Sequence, residues 1–340
     1  MPPGDVDRGR PWSDPYVSTG HLPPATRVQA LVDEAYDRYR AGTDGEVSTV
    51  YPALASAPAH LFGICVVRTD GSAFAAGDAD APFTIMSVAK PFVFALVCAA
   101  IGPDEARRRV GVNATGLPFN SLAAIEQGQD GVTNPMVNPG AIATAGLVPG
   151  ADLDEQWRTL LDGLSRFAGR SLALDEAVYA SASATNQRNQ SMARLLQNYG
   201  RIAGDPEGVV DLYTRQSCLT VSARDLAVMG ATLADGGVNP LSGVRVVDAE
   251  TCRYTLAVMA TAGLYETSGD WLYTIGLPAK SGIGGGIATA APGKGGLGTY
   301  GPLLDPAGNS VKGQLAARFL SDRLGLNLFV SAPEPADGRG

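Results

Sequence analysis

Residues 87–101 read Ser-Val-Ala-Lys-Pro-Phe-Val-Phe-Ala-Leu-Val-Cys-Ala-Ala-Ile, an S-x-x-K that runs into a continuous apolar stretch. Proline is tolerated in the first turn of a helix, where its missing N–H costs no hydrogen bond, so Pro91 predicts a helix that begins near Ser87. Residues three apart share a helix face, which brings the Lys90 amine within reach of the Ser87 hydroxyl. Because burial disfavours a charged lysine, Lys90 can act as a base near neutral pH. The alternative is an N-cap serine and a surface lysine.

A second lysine stands in the tripeptide Lys280-Ser281-Gly282. S-x-x-K and K-[ST]-G are the first and third elements of penicillin-recognising serine enzymes, and their order and wide separation here agree with that arrangement. The glycines that follow, within a predicted strand over 282–291, would leave a strand edge without bulk, so that a substrate can approach backbone N–H groups. The alternative is a glycine-rich turn with a solvated lysine.

Charge and hydropathy exclude two classes of partner. The 340-residue chain has 26 Lys and Arg against 34 Asp and Glu, a net charge of −8. Proteins that bind nucleic acid neutralise phosphates with a basic surface, so no nucleic-acid partner is expected. The longest apolar run, residues 92–101, is half the length of about 20 residues that spans a bilayer core. We therefore expect no membrane partner.

The small numbers of histidine and cysteine residues limit the metal and redox sites that the chain can form. Of two histidines only His60 lies where folded structure is expected, so a zinc site built from several histidines is not predicted. No C-x-x-C occurs, which argues against a zinc clip or a thioredoxin motif. The four cysteines, Cys65, Cys98, Cys218 and Cys252, are far apart and have apolar neighbours. Reduced, buried thiols and a cytoplasmic location are expected, and no metal.

The order of the elements predicts an α+β fold. Period-2 and period-3.6 patterns place strands near both ends of the chain and helices in the middle, which favours one antiparallel sheet flanked by helices with a helical insert. We expect a single catalytic domain over 26–330, between flexible tails at 1–25 and 331–340. Its sheet part would comprise about 26–84 and 236–330, and its helical part about 85–235.

Individual elements follow from the same patterns. A helix is predicted over Thr26–Arg40, a hairpin over Leu61–Val67 and Ser72–Ala76, strands again from Trp271, and a closing helix over Leu315–Leu324. The G-x-G-x-x-G at 293–298 precedes Tyr-Gly-Pro and not a helix. A dinucleotide-binding loop is therefore not predicted there.

Four polar residues lie in apolar or loop settings where a partner is needed. Asn138 belongs to a loop with two amides, and Asn189 faces the apolar side of a predicted helix. Tyr213 and Tyr265 lie among apolar or small residues, and tyrosine can relay a proton where histidine is absent. Taken singly, each side chain is as readily explained by a structural hydrogen bond.

Most of the chain, from about 45 to 328, resembles the serine-dependent glutaminase family. The matching strings are Ala76-Gly-Asp-Ala-Asp, Phe83-Thr-Ile-Met-Ser-Val-Ala-Lys-Pro-Phe, Phe119-Asn-Ser-Leu, Asn134-Pro-Met-Val-Asn-Pro-Gly-Ala-Ile-Ala, Arg188-Asn, residues 225–237, Leu277-Pro-Ala-Lys-Ser-Gly and Gly308-Asn-Ser-Val-Lys-Gly. The resemblance implies a β-lactamase/DD-peptidase-like fold and hydrolysis of L-glutamine to L-glutamate and ammonia. It also implies no cofactor, and a homodimer or homotetramer.

The resemblance assigns roles residue by residue. Ser87 matches the nucleophile, Lys90 the base, and Tyr265 a tyrosine that relays the proton to the leaving ammonia. The backbone N–H groups of Ser87 and Ile283 match the oxyanion hole. Side chains that would hold the glutamine are those of Asn138, Asn189 and Tyr213.

Three positions, in two stretches of the chain, depart from the family pattern. Ala182 and Ala184 stand where the family has two acids, the first of which faces the substrate's α-ammonium, and Val50 stands where it often has a tyrosine, with Tyr51 beside it. A family member with an altered amide substrate, or a non-catalytic binding protein with this fold, remains an alternative. A β-lactam-hydrolysing enzyme or peptidase would usually need an extracytoplasmic address, which the N-terminus is not expected to carry.

Overall fold

A computed structural model describes residues 20–331. Elements are numbered in chain order within that range. The strands are β1 Glu46–Val47, β2 Gly63–Arg68, β3 Ala73–Gly77, β4 Phe83–Thr84, β5 Thr220–Val221, β6 Ala279–Ser281, β7 Gly286–Ala291, β8 Gly295–Tyr300 and β9 Leu303–Leu304. The helices are α1 Ala25–Tyr39, α2 Ala89–Ile101, α3 Pro103–Val110, α4 Ala123–Gln127, α5 Asn138–Ala145, α6 Leu153–Ala168, α7 Glu176–Ala184, α8 Gln187–Asn198, α9 Pro206–Ser217, α10 Ala223–Ala234, α11 Ala249–Ala262, α12 Ser268–Thr274 and α13 Val311–Leu324. Short 3-10 turns cover Pro52–Ser56, Met86–Val88, Gln129–Gly131 and Tyr265–Thr267.

The main sheet has five strands in the order β3-β2-β8-β7-β6, and every neighbouring pair is antiparallel. Strands from both ends of the chain thus join in one sheet, and the helices between them in sequence lie beside it. The predicted α+β class with an antiparallel sheet is confirmed. Strand β6, which carries Lys280 and Ser281, is an edge strand of this sheet.

Close approach of α10 to β8 explains two glycines within residues 293–298, Gly296 and the motif glycine Gly298. A Cβ on Gly296 would lie 2.1 Å from the Ala227 carbonyl oxygen, and one on Gly298 would lie 2.0 Å from that of Ala223. Residues 295–300 form β8. The string therefore serves strand–helix packing, in agreement with the rejection of a dinucleotide loop. The other face of the sheet is covered by an apolar cluster shared with α1 and α13.

Two local predictions were wrong. Residues 282–291 are not one strand, because Gly282–Gly285 form a tight turn in which the Gly285 N–H donates to the Gly282 carbonyl, and Gly285 has φ 96°. Residues 268–274 form α12 instead of a strand, and the Trp271 indole is buried and donates to the Leu277 carbonyl. Packing of that large ring against the sheet decides the local structure.

Residues 1–19 and 332–340, which hold most of the two predicted tails, lie outside the described residues. The division into a sheet part and a helical part stays a prediction. Helix α10 belongs by sequence to the predicted helical part, which ends at about residue 235. In the structure it packs against β7 and β8 of the main sheet. No helix in residues 20–331 is long and apolar enough to cross a membrane.

Candidate active site

Ser87 lies in the 3-10 turn directly before α2, at the wall of a cavity of about 230 Å³. The preceding residue, Met86, has φ 49°, a left-handed conformation that costs a non-glycine residue on the order of 1–3 kcal/mol. Such strain persists only where the surroundings impose it. Here the turn presents the serine to the cavity at the start of a buried helix, as the S-x-x-K pattern predicts.

Lys90 is fully buried one helical turn further on. Its Nζ donates to Asn138 Oδ1 at 2.7 Å and contacts the Met136 carbonyl oxygen at 3.5 Å. Neither partner is ionised, and burial lowers the pKa of the lysine from 10.5 to about 7. The surface-lysine alternative is therefore excluded. A lysine with this pKa exchanges its proton near neutral pH, as a general base requires.

A chain of amide hydrogen bonds holds Asn138 in place. Its Nδ2 donates to Asn189 Oδ1 at 3.3 Å, and Asn189 donates in turn to Asn186 Oδ1 at 2.6 Å. The Asn186 amide ends the chain on the Thr214 hydroxyl at 2.5 Å. Because each amide has its donor and acceptor fixed by the next, the orientation of Asn138 beside Lys90 is fixed as well.

Two tyrosines complete this side of the cavity. The Tyr213 hydroxyl donates to Asn138 Oδ1 at 3.1 Å, so the same oxygen accepts from both the tyrosine and Lys90. Tyr51 is mostly buried and hydrogen-bonds to the side chain of Asn189. Burial raises the pKa of both tyrosines, so both keep their protons and act as donors.

Tyr265 lies in a neighbouring space, close enough for the Ser87 side chain to act on its hydroxyl. Its φ of 53° makes it a second strained residue at this site. Its hydroxyl is 3.4 Å from the Ser281 carbonyl oxygen, and its ring lies against Phe119 with centroids 4.5 Å apart. Burial raises its pKa to about 12, so it holds a proton that can be passed on.

Lys280, on the edge strand β6, packs against the Tyr265 ring. Its Nζ lies 4.2 Å from the centre of the Tyr265 ring and donates to the carbonyl oxygens of Gly263 and Ser281 at 2.8 and 2.7 Å. Burial, and then the nearby Lys90, hold the pKa of Lys280 well below its usual range. It is completely buried, which excludes the solvated-lysine alternative.

Two residues that line the cavity, Ser87 and Ile283, have backbone N–H groups that are candidates for an oxyanion hole. Neither the Ser87 N–H nor the Ile283 N–H donates to an acceptor within the described chain. A Cβ on Gly282 would lie 3.2 Å from the Ser87 nitrogen and 3.0 Å from the Ile85 carbonyl oxygen. Glycine at 282 thus leaves the approach to the serine amide open, as an oxyanion hole requires.

The positions that depart from the family pattern lie in different surroundings. Ala182 is buried in an apolar cluster with Met86, against which Tyr51 and Ile283 pack. Val50 is exposed, and both Val50 and its neighbour Tyr51 line the cavity. Tyrosine is therefore present in this wall, one residue along the chain.

The structure brings the sequence-predicted residues Ser87, Lys90, Asn138, Asn189, Tyr213, Tyr265 and Ile283 to one place. Sequence reasoning gave no role to Asn186, although its position three residues before Asn189, at a helix N-terminus, is a signal for a paired amide. Phe119, which stacks on Tyr265, was part of a matching string but had no role. Within residues 20–331, no cluster of three His, Cys, Asp or Glu side chains could hold a metal ion.

These features together support acyl transfer. The cavity is lined by Ser87 and Ile283, whose backbone N–H groups have no acceptor among the described residues. Lys90, with a pKa of about 7, lies one helical turn from the serine, and protonated Tyr265 lies in the neighbouring space. A nucleophile, a base, a proton relay and an oxyanion site are the groups that a covalent mechanism on a carbonyl carbon needs.

Comparison with known proteins identifies relatives along nearly the whole chain. The family model described as Glutaminase matches residues 45–329. Glutaminase 2 of Yersinia pestis is 67% identical over 318 residues, 94% of each chain. The solved structure of the probable glutaminase YbaS has a TM-score of 0.89 at 39% identity and covers 90% of this chain and 99% of its own. A Bacillus subtilis glutaminase, YbgJ, in a covalent complex with 5-oxo-L-norleucine has a TM-score of 0.80 at 28% identity, over 88% and 99% of the two chains.

Proposed function

The chain belongs to the glutaminase family and is a glutaminase with a β-lactamase-like fold, and we propose that it cleaves the side-chain amide through an acyl-enzyme on Ser87. The observation that carries this mechanism is the buried Lys90, one turn after the serine, whose pKa of about 7 lets it act as a base. The alternative, a non-catalytic binding protein, has no need for a lysine held at this pKa.

In the first step neutral Lys90 takes the proton of the Ser87 hydroxyl, and Ser87 Oγ attacks the amide carbon. The negative charge that develops on the amide oxygen is stabilised by the N–H groups of Ser87 and Ile283. The carbon–nitrogen bond then breaks, and the proton that Lys90 took passes through Tyr265 to the leaving ammonia, which returns Lys90 to its neutral form. The influence of the Ser87 side chain on the Tyr265 hydroxyl supports this role.

In the second step water attacks the ester on Ser87, with Lys90 as the base, and releases the acid. Asn138, Asn189 and Tyr213 are proposed to hold the substrate, supported by the hydrogen-bond chain that fixes their orientation. The covalent complex of the Bacillus subtilis relative shows that a glutaminase of this fold forms a covalent bond with a glutamine-like ketone.

Release of ammonia from L-glutamine by the purified protein tests the function directly. We expect stoichiometric L-glutamate and ammonia, and no loss of rate after exhaustive chelation. Purified protein that is folded by circular dichroism and yet releases no ammonia from any amide would support the non-catalytic alternative.

The pH dependence of kcat/KM should report the titration of Lys90. Because the neutral amine is the active form, the rate should rise about tenfold per pH unit below the pKa of about 7 and level off above it. Initial rates from pH 5 to 9 in buffers of constant ionic strength measure this profile. A rate that is flat across this range, or that falls with rising pH, contradicts the assignment of the base.

Two further proposals concern the cellular location of the protein and its oligomeric state. A cytoplasmic location is supported by four cysteines that are all unpaired and buried. A homodimer or homotetramer is supported by large exposed apolar side chains such as Tyr273 and Phe329, 91% and 67% exposed. Light scattering measures the assembly.

A further inference from the structure

The charge of the Ser87 cavity is unusual for a site that takes an amino acid. Among the described residues that line it there is no aspartate or glutamate, and the one charged side chain is that of Arg188. A free amino acid presents both a carboxylate and an ammonium. The cavity offers a cationic partner for the first and no anionic partner for the second.

Ala182 lies behind the cavity lining, in an apolar cluster. It is 1% exposed and packs with Met86, Leu54 and Val178, with Ile283 against it, and Met86 and Ile283 form an apolar wall of the cavity. An ammonium placed against this cluster would lose its hydration without gaining a hydrogen bond, which costs several kcal/mol in an apolar setting. This wall suits an uncharged group.

The nearest acid, Glu266, belongs to a different cavity. It lies with Tyr265 in a neighbouring space of about 190 Å³, and Phe119 lines both spaces. Its Oε1 accepts from the Phe119 N–H at 3.1 Å. The Phe119 ring, 4.5 Å from the Tyr265 ring, lines both spaces, whereas Glu266 lines only the second. Glu266 therefore does not supply the missing anion.

Arg188 is available to bind an anion. Its Nε donates to the Asn120 carbonyl oxygen at 2.8 Å, which fixes the side chain, and it forms no ion pair with the acids of residues 20–331. Arg188 lines the cavity, and the planar guanidinium, with several N–H donors, is suited to a carboxylate.

We infer that this site recognises its substrate by the carboxylate and not by the α-ammonium, so that monoamides of five-carbon dicarboxylic acids with an uncharged α-position are substrates at least as good as L-glutamine. The inference rests on the proposed function, since it concerns the same acyl-enzyme. The reaction is unchanged: the amide and water give a carboxylate and ammonia, with Ser87 acylated in between.

The first test compares wild-type kcat/KM for three amides: L-glutamine, its N-acetyl derivative, and glutaramate, which is glutamine without the amino group. We expect glutaramate to equal or exceed L-glutamine, and N-acetyl-L-glutamine to fall within about threefold. If a site depends on an ammonium ion pair worth about 1.4 kcal/mol, loss of the amine lowers kcat/KM about tenfold. A tenfold preference for L-glutamine overturns the inference and leaves the proposed function intact, whereas no ammonia from any amide overturns the function.

Substitution A182E tests the wall itself. A carboxylate at 182 should shift the ratio of kcat/KM for L-glutamine over glutaramate about tenfold toward L-glutamine. Because a glutamate in an apolar cluster can prevent folding, wild-type inhibition supplies a second measurement. Glutarate should inhibit at least as strongly as L-glutamate, and a tenfold stronger inhibition by L-glutamate contradicts the inference.

Substitution R188Q tests the carboxylate partner. We expect KM to rise about fivefold for L-glutamine and for glutaramate alike, with kcat nearly unchanged, because the contact is the same in the ground and transition states. The matched control is R194Q on the same helix, where Arg194 pairs with Glu207 away from the cavity. Equal KM values in R188Q and R194Q would remove Arg188 from recognition.

Discussion

Ser87→Ala is expected to lower kcat/KM for L-glutamine at least about 10³-fold. The four cysteines are not competing nucleophiles, since none of them lines this cavity and burial raises the pKa of each thiol to about 12. The variant should fold normally, because alanine fits where serine stood. Steady-state ammonia release measures the loss.

Mass spectrometry separates the nucleophile from a merely structural serine. An electrophilic glutamine analogue should add one equivalent to the wild type at Ser87 and none to the Ser87→Ala protein. The matched control is Ser191→Ala, an exposed serine on α8 whose hydroxyl bonds only to the Gln187 carbonyl. That variant should keep full activity and labelling. An adduct on a cysteine would overturn the assignment of the nucleophile.

The reacting groups are predictable from sequence because local rules place them. Spacing of three residues on a helix puts Lys90 one turn from Ser87, and Pro91 marks where that helix begins. The K-S-G tripeptide is recognisable because glycine is favoured at position 282, where a side chain would crowd the Ser87 nitrogen. Such signals involve few residues and do not depend on distant packing.

Other features depend on contacts between distant segments and are not readable locally. The helix over 268–274 exists because the Trp271 ring is buried and its indole bonds to Leu277. The turn over 282–285 could not be distinguished from the strand that follows it, because the glycine-rich sequence over 282–291 also fits a single strand. The sequence shows that position 182 has no acid. It does not show that Ala182 lies in an apolar cluster, because Met86 and Ile283 reach that cluster from distant segments of the chain.

Lys90→Arg is expected to lose activity to the same extent as Lys90→Met, at least about 10³-fold. Arginine keeps the positive charge but does not release its proton at neutral pH, so it cannot serve as a base. Lys294→Met, which removes a lysine whose Nζ bonds to the Gly325 carbonyl far from the serine, is the matched control and should be fully active. Substantial turnover by the arginine variant would exclude the proposed role.

Lys90→Met should at the same time stabilise the fold. Since the pKa of Lys90 is lowered from 10.5 to about 7 in the folded protein, the unfolded chain binds more protons between these values, and wild-type stability is lost as pH falls through that window. The cost at pH 7 is roughly 4 kcal/mol, and loss of the bonds to Asn138 and Met136 offsets part of it. We expect a net gain of about 2 kcal/mol in the free energy of unfolding at pH 7, measured in urea, that shrinks toward pH 10. An equal difference at both pH values would show that Lys90 is charged in the folded enzyme, and it could not then be the base.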